Sequence, residues 1–251
     1  MNEIQTYLGA DGLMHCTVCK EPVEAFYPKG SLLEMRKHHR QCACERKAYA
    51  EEAQYYKEKE HRELIARNKK ICFEEKEMEG FTFQNVERDS GVIRIAEEYV
   101  TNWQKMKQNH MGYLFWGPVG TGKSYLAACI ANALLEKEVT VKMTNFNTIL
   151  NDLFAAEDKT EYIRLLNGYE LLIIDDLGTE CLNSMKLSEL FTILNTRLLN
   201  LNNKVTKTII STNLGINNIF RNYEERIGSR IAGFYDIYYF FGDDLRLSTK
   251  H

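Results

Sequence analysis

A glycine-rich segment at residues 117–124, Gly-Pro-Val-Gly-Thr-Gly-Lys-Ser, restricts the possible folds of this chain more than any other part of its sequence. It follows the short apolar run 113–116 and leads into residues 125–135, which have a helical pattern. In this order of strand, loop and helix, G-x-x-x-x-G-K-S/T binds phosphate through backbone N–H groups and the N-terminal end of the helix. The segment therefore predicts that the chain binds a nucleoside triphosphate.

Individual positions of this loop have predicted roles. Lys123 can reach the β- and γ-phosphates, where it would act in catalysis, and the Ser124 hydroxyl can coordinate Mg²⁺. A glycine turn in an unrelated α/β fold is the alternative, but the complete motif in its expected setting argues against it. The residues predicted to contact the nucleotide are Gly117, Pro118, Val119, Gly120, Thr121, Gly122, Lys123, Ser124 and Tyr125.

From residue 81 onward, apolar runs alternate with helical patterns, as is typical of a parallel sheet flanked by helices. The predicted strands are 113–116, 139–143, 171–175, 206–211 and 237–241. The predicted helices are 92–108, 123–136, 147–154, 160–167, 187–200 and 222–232. This part of the chain is therefore expected to have an α/β fold.

A second set of catalytic candidates follows the buried-strand pattern 171–174, which ends in Asp175 and Asp176. In P-loop enzymes an acid at the carboxyl end of a neighbouring strand binds Mg²⁺, and Asp175 fits that role. Asp176 is placed to orient and polarise the attacking water. An ordinary strand end, where acids begin a loop, is the alternative, but the phosphate-binding loop upstream favours the catalytic interpretation.

Three more polar residues fit the same chemistry. Asn213 follows an apolar strand, and its amide can hold the attacking water, although asparagine is also a common turn residue. Arg226 and Arg230 lie four residues apart and share one face of a helix. They can stabilise the γ-phosphate charge of a neighbouring subunit, or they can form surface ion pairs with the acids that precede them.

Two pairs of cysteines near the N-terminus indicate a metal site. They are Cys16, Cys19, Cys42 and Cys44. Four thiolates in two close pairs can bind Zn²⁺ tetrahedrally, although the second spacing is tighter than usual and His38 or His39 can replace one ligand. Scattered buried cysteines are the alternative. A bound metal would also explain how a segment with few apolar residues folds.

Composition and charge limit the functions open to the chain. A net charge of −3 over 251 residues argues against a generally basic surface, so any contact with DNA needs a local patch. No apolar run is long enough to span a bilayer, and the N-terminal residues do not form a signal peptide. We therefore expect a cytoplasmic protein without membrane contact, whose thiols are reduced or bound to metal.

In this order, the segments resemble those of the AAA+ ATPases, and within them the replicative helicase loaders of the DnaC/DnaI type, over residues 81–247. The segments that carry the resemblance are 81–86, 114–124, 171–180, 210–213, 225–231 and 241–246. The last two narrow it to this subgroup. The resemblance implies a P-loop AAA+ fold, in which a parallel sheet has flanking helices, and it implies ATP as the nucleotide.

The resemblance also implies partners. DnaI-like loaders have an N-terminal zinc module that engages the hexameric replicative helicase, and the cysteine module here would do the same. Copies of the chain would assemble as a homo-oligomer with the helicase, and Arg230, supported by Arg226, would complete a neighbour's site. Arg246 would act as a sensor 2 arginine at the nucleotide.

Residues 144–154 and 159–166 lie where this clade carries an extra helix that contacts single-stranded DNA. Single-strand binding uses a positive groove and stacking aromatic rings. Phe146 and Phe154 are such rings, but we expect both in the core. The segment is not notably basic, and its candidates for DNA contact are Lys142, Lys159 and Arg164.

The sequence departs from the common AAA+ pattern in two ways. Asp176 stands where most AAA+ proteins have glutamate, and its side chain is a methylene shorter, which predicts slow, partner-stimulated hydrolysis. In addition, we expect no C-terminal helical lid domain after the core. This absence is typical of the loaders and of the related IstB-type transposition helpers.

These observations divide the chain into a zinc-binding module, 1–44, a charged helical linker, 45–80, and an AAA+ ATPase domain, 81–251. The expected function is ATP-dependent loading of the replicative helicase. An IstB-type transposase helper shares the same core and is one alternative. A P-loop kinase, which would need an acceptor pocket and a basic lid, and an adaptor that holds ATP without hydrolysing it are the others.

Overall fold

The computed structural model describes residues 5–33, 36–85, 91–108, 112–178, 184–199, 206–242 and 244–245. The chain divides into two compact units, Met1–Leu64 and Ile65–His251. The first unit holds the cysteine pairs, and the second holds the glycine-rich loop. The three-part division at residues 44 and 80 stays a prediction.

Two short antiparallel hairpins build the first unit within its described part. Strand β1, Thr6–Leu8, pairs with β2, Met14–Cys16. Strand β3, Glu24–Phe26, pairs with β4, Lys37–His39. Their small core consists of the buried residues Cys16, Val23 and Cys42, against which Met14, Cys19 and Cys44 pack. The four cysteines therefore form a large part of the buried material of this unit.

A long helix follows the hairpins, as the charged sequence predicts. Helix α1 is Ala43–Cys72, and its buried residues are Ile65 and Cys72. The exposed part carries ion pairs four residues apart, such as Lys59 with Glu63. The helix ends before residue 80, the predicted end of the helical linker, because Phe73 turns into the core of the second unit and residues Lys76–Gly80 form a 3₁₀ turn.

The second unit is organised by a parallel sheet with the order β6-β7-β8-β5-β9, which comprises five strands within the described residues. The strands are β5, Gly112–Trp116, β6, Val141–Asn145, β7, Leu171–Leu177, β8, Lys207–Thr212, and β9, Tyr235–Tyr239. The strands before the glycine-rich loop and before Asn213, and the strand that holds the acid pair, are thus the three central ones. Their carboxyl ends meet at one edge of the sheet, which is where open α/β sheets bind ligands.

Helices cover both faces of this sheet. They are α2, Gly91–Thr101, α3, Trp103–Gln108, α4, Lys123–Leu135, α5, Phe146–Ala155, α6, Lys159–Leu166, α7, Ser184–Leu199, α8, Ile216–Asn222, and α9, Glu224–Phe234. Alternate strand residues point to opposite faces. On β7, Leu171 and Ile173 pack in one core with α2 and α4, whereas Leu172 and Ile174 pack in the other with α5, α7 and α9. The α/β P-loop AAA+ fold expected from the sequence is confirmed.

Element boundaries differ from the predicted ones in several places. The helix predicted at 92–108 is two helices that meet at Asn102, and i→i−4 hydrogen bonds continue across the junction. Helix α8 was not predicted, since seven residues give little periodicity. The last strand begins two residues before the predicted 237, where Tyr235 pairs with Gly112. A shift of two residues preserves which side chains face the core.

A buried arginine joins several segments near the first residue of β8. The Arg197 side chain donates hydrogen bonds to Thr208 Oγ1 and to three carbonyl oxygens, those of Leu166, Tyr169 and Lys207, at 2.5–3.3 Å. Burial lowers its pKa to about 10, so it remains charged at neutral pH. Among the helices that the structure describes, none is long and apolar enough to cross a membrane.

Candidate functional site

The glycine-rich loop lies between β5 and α4 and is shaped by residues with positive φ. Gly122 caps the N-terminus of α4 with φ 89°, and Gly120 has φ 78°. A side chain at Gly120 would also overlap the carboxyl group of Asp244 from the C-terminal segment. The loop thus needs glycine at this position both for its backbone angles and for close packing.

Lys123 is buried at the first residue of α4, with 4% of its surface exposed. Its Nζ donates to the carbonyl oxygens of Gly117 at 3.0 Å and Pro118 at 2.7 Å, and to Asn213 Oδ1 at 2.8 Å. The structure therefore brings the predicted lysine and the predicted asparagine into direct contact. An ammonium held by its own loop beside the end of β8 is positioned to exchange these acceptors for phosphate oxygens.

Ser124 and Asp175 form the second contact across the site. The Ser124 hydroxyl donates to Asp175 Oδ1 at 3.0 Å, and the Ser211 hydroxyl donates to the same oxygen. Burial raises the pKa of Asp175 despite these two hydrogen bonds, and the nearby charge of Asp176 raises it further. A carboxylate and a hydroxyl oxygen in contact fit the oxygen ligands that Mg²⁺ prefers, and Mg²⁺ would favour the ionised carboxylate.

Asp176 sits in a bulge of β7. The register between β7 and β8 shifts between Ile174 and Leu177, and Asp176 has φ 50°, in the left-handed region that is unusual for an aspartate. Its N–H donates to Ser211 Oγ at 2.9 Å, and its side chain is exposed. Non-glycine residues in such conformations cluster at functional sites, because the surroundings must hold them there.

A cleft of about 440 Å³ opens beside the two acids rather than over the glycine-rich loop. It is lined by Glu74, Glu75, Met78, Met143, Thr144, Asn145, Asn147, Thr148, Asn151, Asp175 and Asp176. Glu74 accepts hydrogen bonds from the hydroxyls of Thr144 at 2.6 Å and Thr148 at 3.2 Å. The acidic cleft offers room for water next to Asp176 but is unsuited to phosphate.

The C-terminal segment packs against the glycine-rich loop. The N–H of Phe240 donates to Trp116 O at 2.8 Å, and the N–H of Leu245 donates to Gly120 O at 3.0 Å. This approach brings the chain to the loop immediately before Arg246, the predicted sensor 2 residue. Arg246 itself lies outside the described residues, so its role at the nucleotide stays a prediction.

Arg226 and Arg230 share one face of α9, as predicted. Their guanidinium carbons lie 4.7 and 5.2 Å from the ring centre of Phe191 on α7, in cation–π geometry. The described contacts thus place both arginines against α7 rather than at the glycine-rich loop of their own chain. Arg226 is exposed and Arg230 half-buried, a position compatible with a role toward a second copy.

The four cysteines of the first unit come together. Their sulfur atoms lie within 4.8 Å of one another, with Cys16 and Cys42 buried and Cys19 and Cys44 half-buried. Hydrogen bonds from the backbone N–H groups of Cys44 and Glu21 lower the pKa of Cys19 to about 6, so that it is a thiolate at neutral pH. Four sulfur donors at this separation fit a tetrahedral Zn²⁺ site.

The neighbouring histidines are engaged elsewhere. His38 Nδ1 hydrogen-bonds His39 O at 2.9 Å, and His39 Nε2 lies 3.2 Å from Glu45. The cluster that could hold a metal in the described part of the chain consists of the cysteines alone. A four-cysteine ligand set is therefore favoured over one in which a histidine replaces a cysteine.

The chain is similar in sequence to ATP-binding proteins and to a replicative helicase loader. The family model described as "IstB-like ATP binding protein" matches residues 48–225. A Sinorhizobium fredii protein, provisionally described as an insertion sequence ATP-binding protein, is 31% identical over 125 residues, which are 49% of this chain and 41% of that protein. The replicative helicase loader DnaI of Bacillus subtilis is 26% identical over 121 residues, 46% of this chain and 39% of that protein.

Solved structures agree on the fold. A crystal structure of DnaI superposes with a TM-score of 0.59 at 23% identity and covers 71% of this chain and 98% of that chain. A crystal structure of the DnaC helicase loader superposes with a TM-score of 0.57 at 19% identity, over 66% of this chain and 100% of that chain. The chain spans only about two fifths of the length of the curated relatives.

Sequence reasoning missed two residues at this site. Ser211 contacts both acids from β8, and Asp244 lies against Gly120. The available signal for Ser211 was a hydroxyl residue directly after two isoleucines, two positions before Asn213. Asp244 gave no signal of its own, because its position depends on where the chain passes after β9.

Proposed function

The chain belongs to the IstB-like ATP-binding family, and from this premise we propose that it hydrolyses ATP in order to load a hexameric replicative helicase onto DNA. The observation that carries the ATPase part is the convergence of Lys123, Asn213, Ser124 and Asp175 through hydrogen bonds of 2.8–3.0 Å. These groups come from three different strand ends. A cation, an amide, a hydroxyl and a carboxylate brought together in this way fit a site for phosphate and Mg²⁺.

The reaction consumes ATP and water and gives ADP and phosphate. Lys123 would turn from Asn213 to the β- and γ-phosphate oxygens, which frees the Asn213 amide to hold the attacking water. The exposed Asp176 carboxylate orients that water and takes its proton as the P–O bond breaks. Ser124 and Asp175 would hold Mg²⁺, which when bound neutralises charge on the phosphates.

The helicase part rests on the first unit. This unit exposes large apolar side chains, among them Leu8, Val18 and Leu32. We propose that they contribute to a surface that binds a protein partner. The similarity to DnaI supports a replicative helicase as that partner. The similarity to an insertion sequence ATP-binding protein makes a transposase the second candidate.

Contact with single-stranded DNA is a finer part of the proposal. Phe146 is buried, as expected, but the expectation that Phe154 lies in the core is wrong, since its ring is 45% exposed at the end of α5. Lys159 Nζ lies 5.1 Å from the centre of that ring. An exposed ring beside a cation can stack on a base, whereas Arg164 is bonded to Glu161 and is less available.

Assembly would complete the ATPase site. We assign Arg230, supported by Arg226, to the γ-phosphate of a neighbouring copy. Mixing Arg230→Ala with Lys123→Ala tests this, because one variant keeps an intact phosphate loop and the other an intact arginine. Activity that returns in the mixture supports action between copies. If the mixture stays as inactive as each variant alone, the arginine does not act in trans.

The first experiment on the whole proposal combines binding and turnover. The zinc-loaded protein is mixed with a hexameric replicative helicase, with and without ATP, and weighed by native mass spectrometry, while phosphate release is measured beside Lys123→Ala. A stoichiometric complex and hydrolysis about a hundredfold above the variant are expected. Absence of a complex with the helicase would overturn the loader proposal and favour a transposase helper, and binding of ATP without phosphate release would indicate an adaptor.

A further inference from the structure

We propose that Ser211 is a positioning residue for ATP hydrolysis, which fixes the metal-binding acid and the water-orienting acid relative to each other. The inference rests on the proposed ATPase function. Ser211 is fully buried on β8, between the strand that carries the glycine-rich loop and the strand that carries the acids. Ser211 belongs neither to the G-x-x-x-x-G-K-S motif nor to the acid pair, so neither pattern predicts a role for it.

The Ser211 hydroxyl uses its donor and an acceptor site on two successive residues of β7. Its O–H donates to Asp175 Oδ1, and its oxygen accepts from the Asp176 N–H at 2.9 Å. A serine hydroxyl has one hydrogen and two lone pairs, so both bonds can exist together. One buried atom thus contacts the side chain of the first acid and the backbone of the second.

The backbone contact explains how the bulge persists. Between Ile174 and Leu177 the regular pairing of β7 with β8 is interrupted, and Asp176 occupies a left-handed conformation. Such a conformation is unfavourable for a residue with a side chain and needs support from its surroundings. Ser211 bonds the Asp176 N–H, and the next residue, Thr212, donates from Oγ1 to the Leu177 carbonyl at 2.5 Å. The hydroxyls of two adjacent β8 residues therefore bond the backbone of β7, one within the bulge and one where the regular pairing resumes.

The side-chain contact gains importance when nucleotide and metal bind. Ser124 also donates to Asp175 Oδ1, at 3.0 Å, but its hydroxyl is the group that would turn to the metal. Ser211 is buried and has no such alternative, so it remains the donor that holds the carboxylate. Ser211 therefore holds the Asp175 carboxylate and the Asp176 backbone in a fixed relative position.

A matched pair of substitutions isolates the hydroxyl. Ser211→Thr and Ser211→Val add similar bulk at a buried position, and they differ in the hydroxyl. We expect Ser211→Val to lower kcat about tenfold to a hundredfold relative to Ser211→Thr, because a hydrogen bond to a charged group is lost. Ser211→Ala, which adds no bulk, should lose activity to a similar extent relative to the native protein.

Binding measurements separate positioning from general damage. The Kd for ATP without Mg²⁺ should stay within about threefold of the native value, because the glycine-rich loop is untouched. The tightening of ATP binding by Mg²⁺ should shrink in Ser211→Val and recover in Ser211→Thr. Equal kcat and equal Mg²⁺ response in Ser211→Thr and Ser211→Val would overturn the proposal.

Thr212→Val provides the structural control, since it removes the neighbouring hydroxyl of the bulge without a contact to either acid side chain. A loss of kcat as large as that of Ser211→Val would mean that the bulge as a whole matters, and Ser211 would lose its assigned role. If the native protein released no more phosphate than Lys123→Ala, the ATPase proposal would fail. The Mg²⁺ response of ATP binding would still decide the role of Ser211 as a support for Asp175.

Discussion

In the first unit the functional residues are themselves the core, whereas in the second unit they stand at the edge of a core that does not need them. Cys16 and Cys42 are two of the three buried residues around which the hairpins pack. Lys123, Asp175 and Asn213 instead lie at or just beyond the carboxyl ends of strands whose apolar residues fill two separate clusters. In the first unit folding is expected to depend on the ligand site, whereas in the second unit the fold is expected to be stable without the ligand.

This difference has a physical origin in the amount of apolar surface. Hairpins of three-residue strands bury too little surface to offset the conformational entropy of ordering them. A metal that binds four sulfur atoms would supply the missing free energy, and folding and binding would be one event. The sheet of the second unit buries Val, Ile and Leu on both faces, so its fold can tolerate polar and strained residues at the carboxyl ends of its strands.

The largest expected effect is on the first unit when its metal is removed. Cys16→Ser, or a strong chelator, should abolish the hairpins, because structural Zn²⁺ sites contribute on the order of 10 kcal/mol to folding. Metal analysis should find one Zn²⁺ per native chain, and circular dichroism should register the loss of structure. Cys129→Ala, at a buried cysteine of α4, is the control and should keep the metal.

Nucleotide affinity should survive this treatment within about twofold, if the second unit folds without the first unit's metal. If chelation leaves the hairpins intact, the contrast between the units is wrong, because both units would then fold without their ligands. The contrast is also wrong if chelation abolishes ATP binding.

The second unit tolerates a buried lysine, Lys207, that should lower its stability. Lys207 is 2% exposed, and within the described residues its Nζ has no hydrogen-bond partner. Burial lowers its pKa to about 8 from 10.5, so the folded state binds the proton less tightly than the unfolded state. The charged Lys207 therefore lowers the free energy of unfolding by roughly 3 kcal/mol below pH 8. This loss of stability fades as the pH rises toward 10.5.

Lys207→Met should therefore raise the stability of the second unit by about 1–3 kcal/mol at pH 7, and the gain should shrink at pH 9.5. Urea unfolding at the two pH values measures both numbers. Lys105→Met, at an exposed lysine of the same unit, serves as the matched substitution. A Lys207→Met protein no more stable than the native one at pH 7 would show that the amine is solvated.

A change in the glycine-rich loop should remove binding but not the fold. Gly120→Ala places a side chain where φ is 78° and where the Asp244 carboxyl group lies. We expect ATP affinity to fall at least about tenfold, because the loop must shift, while the unfolding temperature changes by only a few degrees. Gly91→Ala, at a position with open space around it, should change neither quantity. A much larger fall in the unfolding temperature of Gly120→Ala would show that the loop is part of the core.

The smallest effect is expected on the exposed part of α1. Lys59 and Glu63 form a surface ion pair at 3.9 Å, and such pairs contribute less than about 0.5 kcal/mol. Lys59→Ala should leave both the metal content and the unfolding curve unchanged within error. A measurable loss would indicate that the helix packs on something in solution, which would sharpen the search for the partner.

The parts of the fold that could be predicted are those with local signals. The glycine-rich loop, the strand ending in Asp175 and the strand before Asn213 each follow from a short pattern, and the rule that parallel strands end at one edge brings them together. The hairpins of the first unit were not predicted, since three-residue strands give no periodicity. The bond from Ser211 to both acids depends on the register of β8 against a bulged β7, which no local pattern encodes.

Exposure was the other quantity that the sequence could not fix. Phe154 has the spacing of a core residue on α5, yet it lies at the end of the helix, where its ring meets Lys159 instead of the sheet. Arg226 and Arg230 share a face as predicted, but only the structure places that face over Phe191. In each case the missing information is the position of a neighbouring element.

The order β6-β7-β8-β5-β9 also bears on how proteins of this kind can diversify. The three strands that carry the chemistry are internal, and the two edge strands carry none of the acids, the lysine or the asparagine. New domains can therefore be appended beyond either edge, by insertion or fusion, without disturbing the spacing of the catalytic groups. Selection can thus change the client of such an ATPase through its periphery while the chemistry at its centre is inherited unaltered.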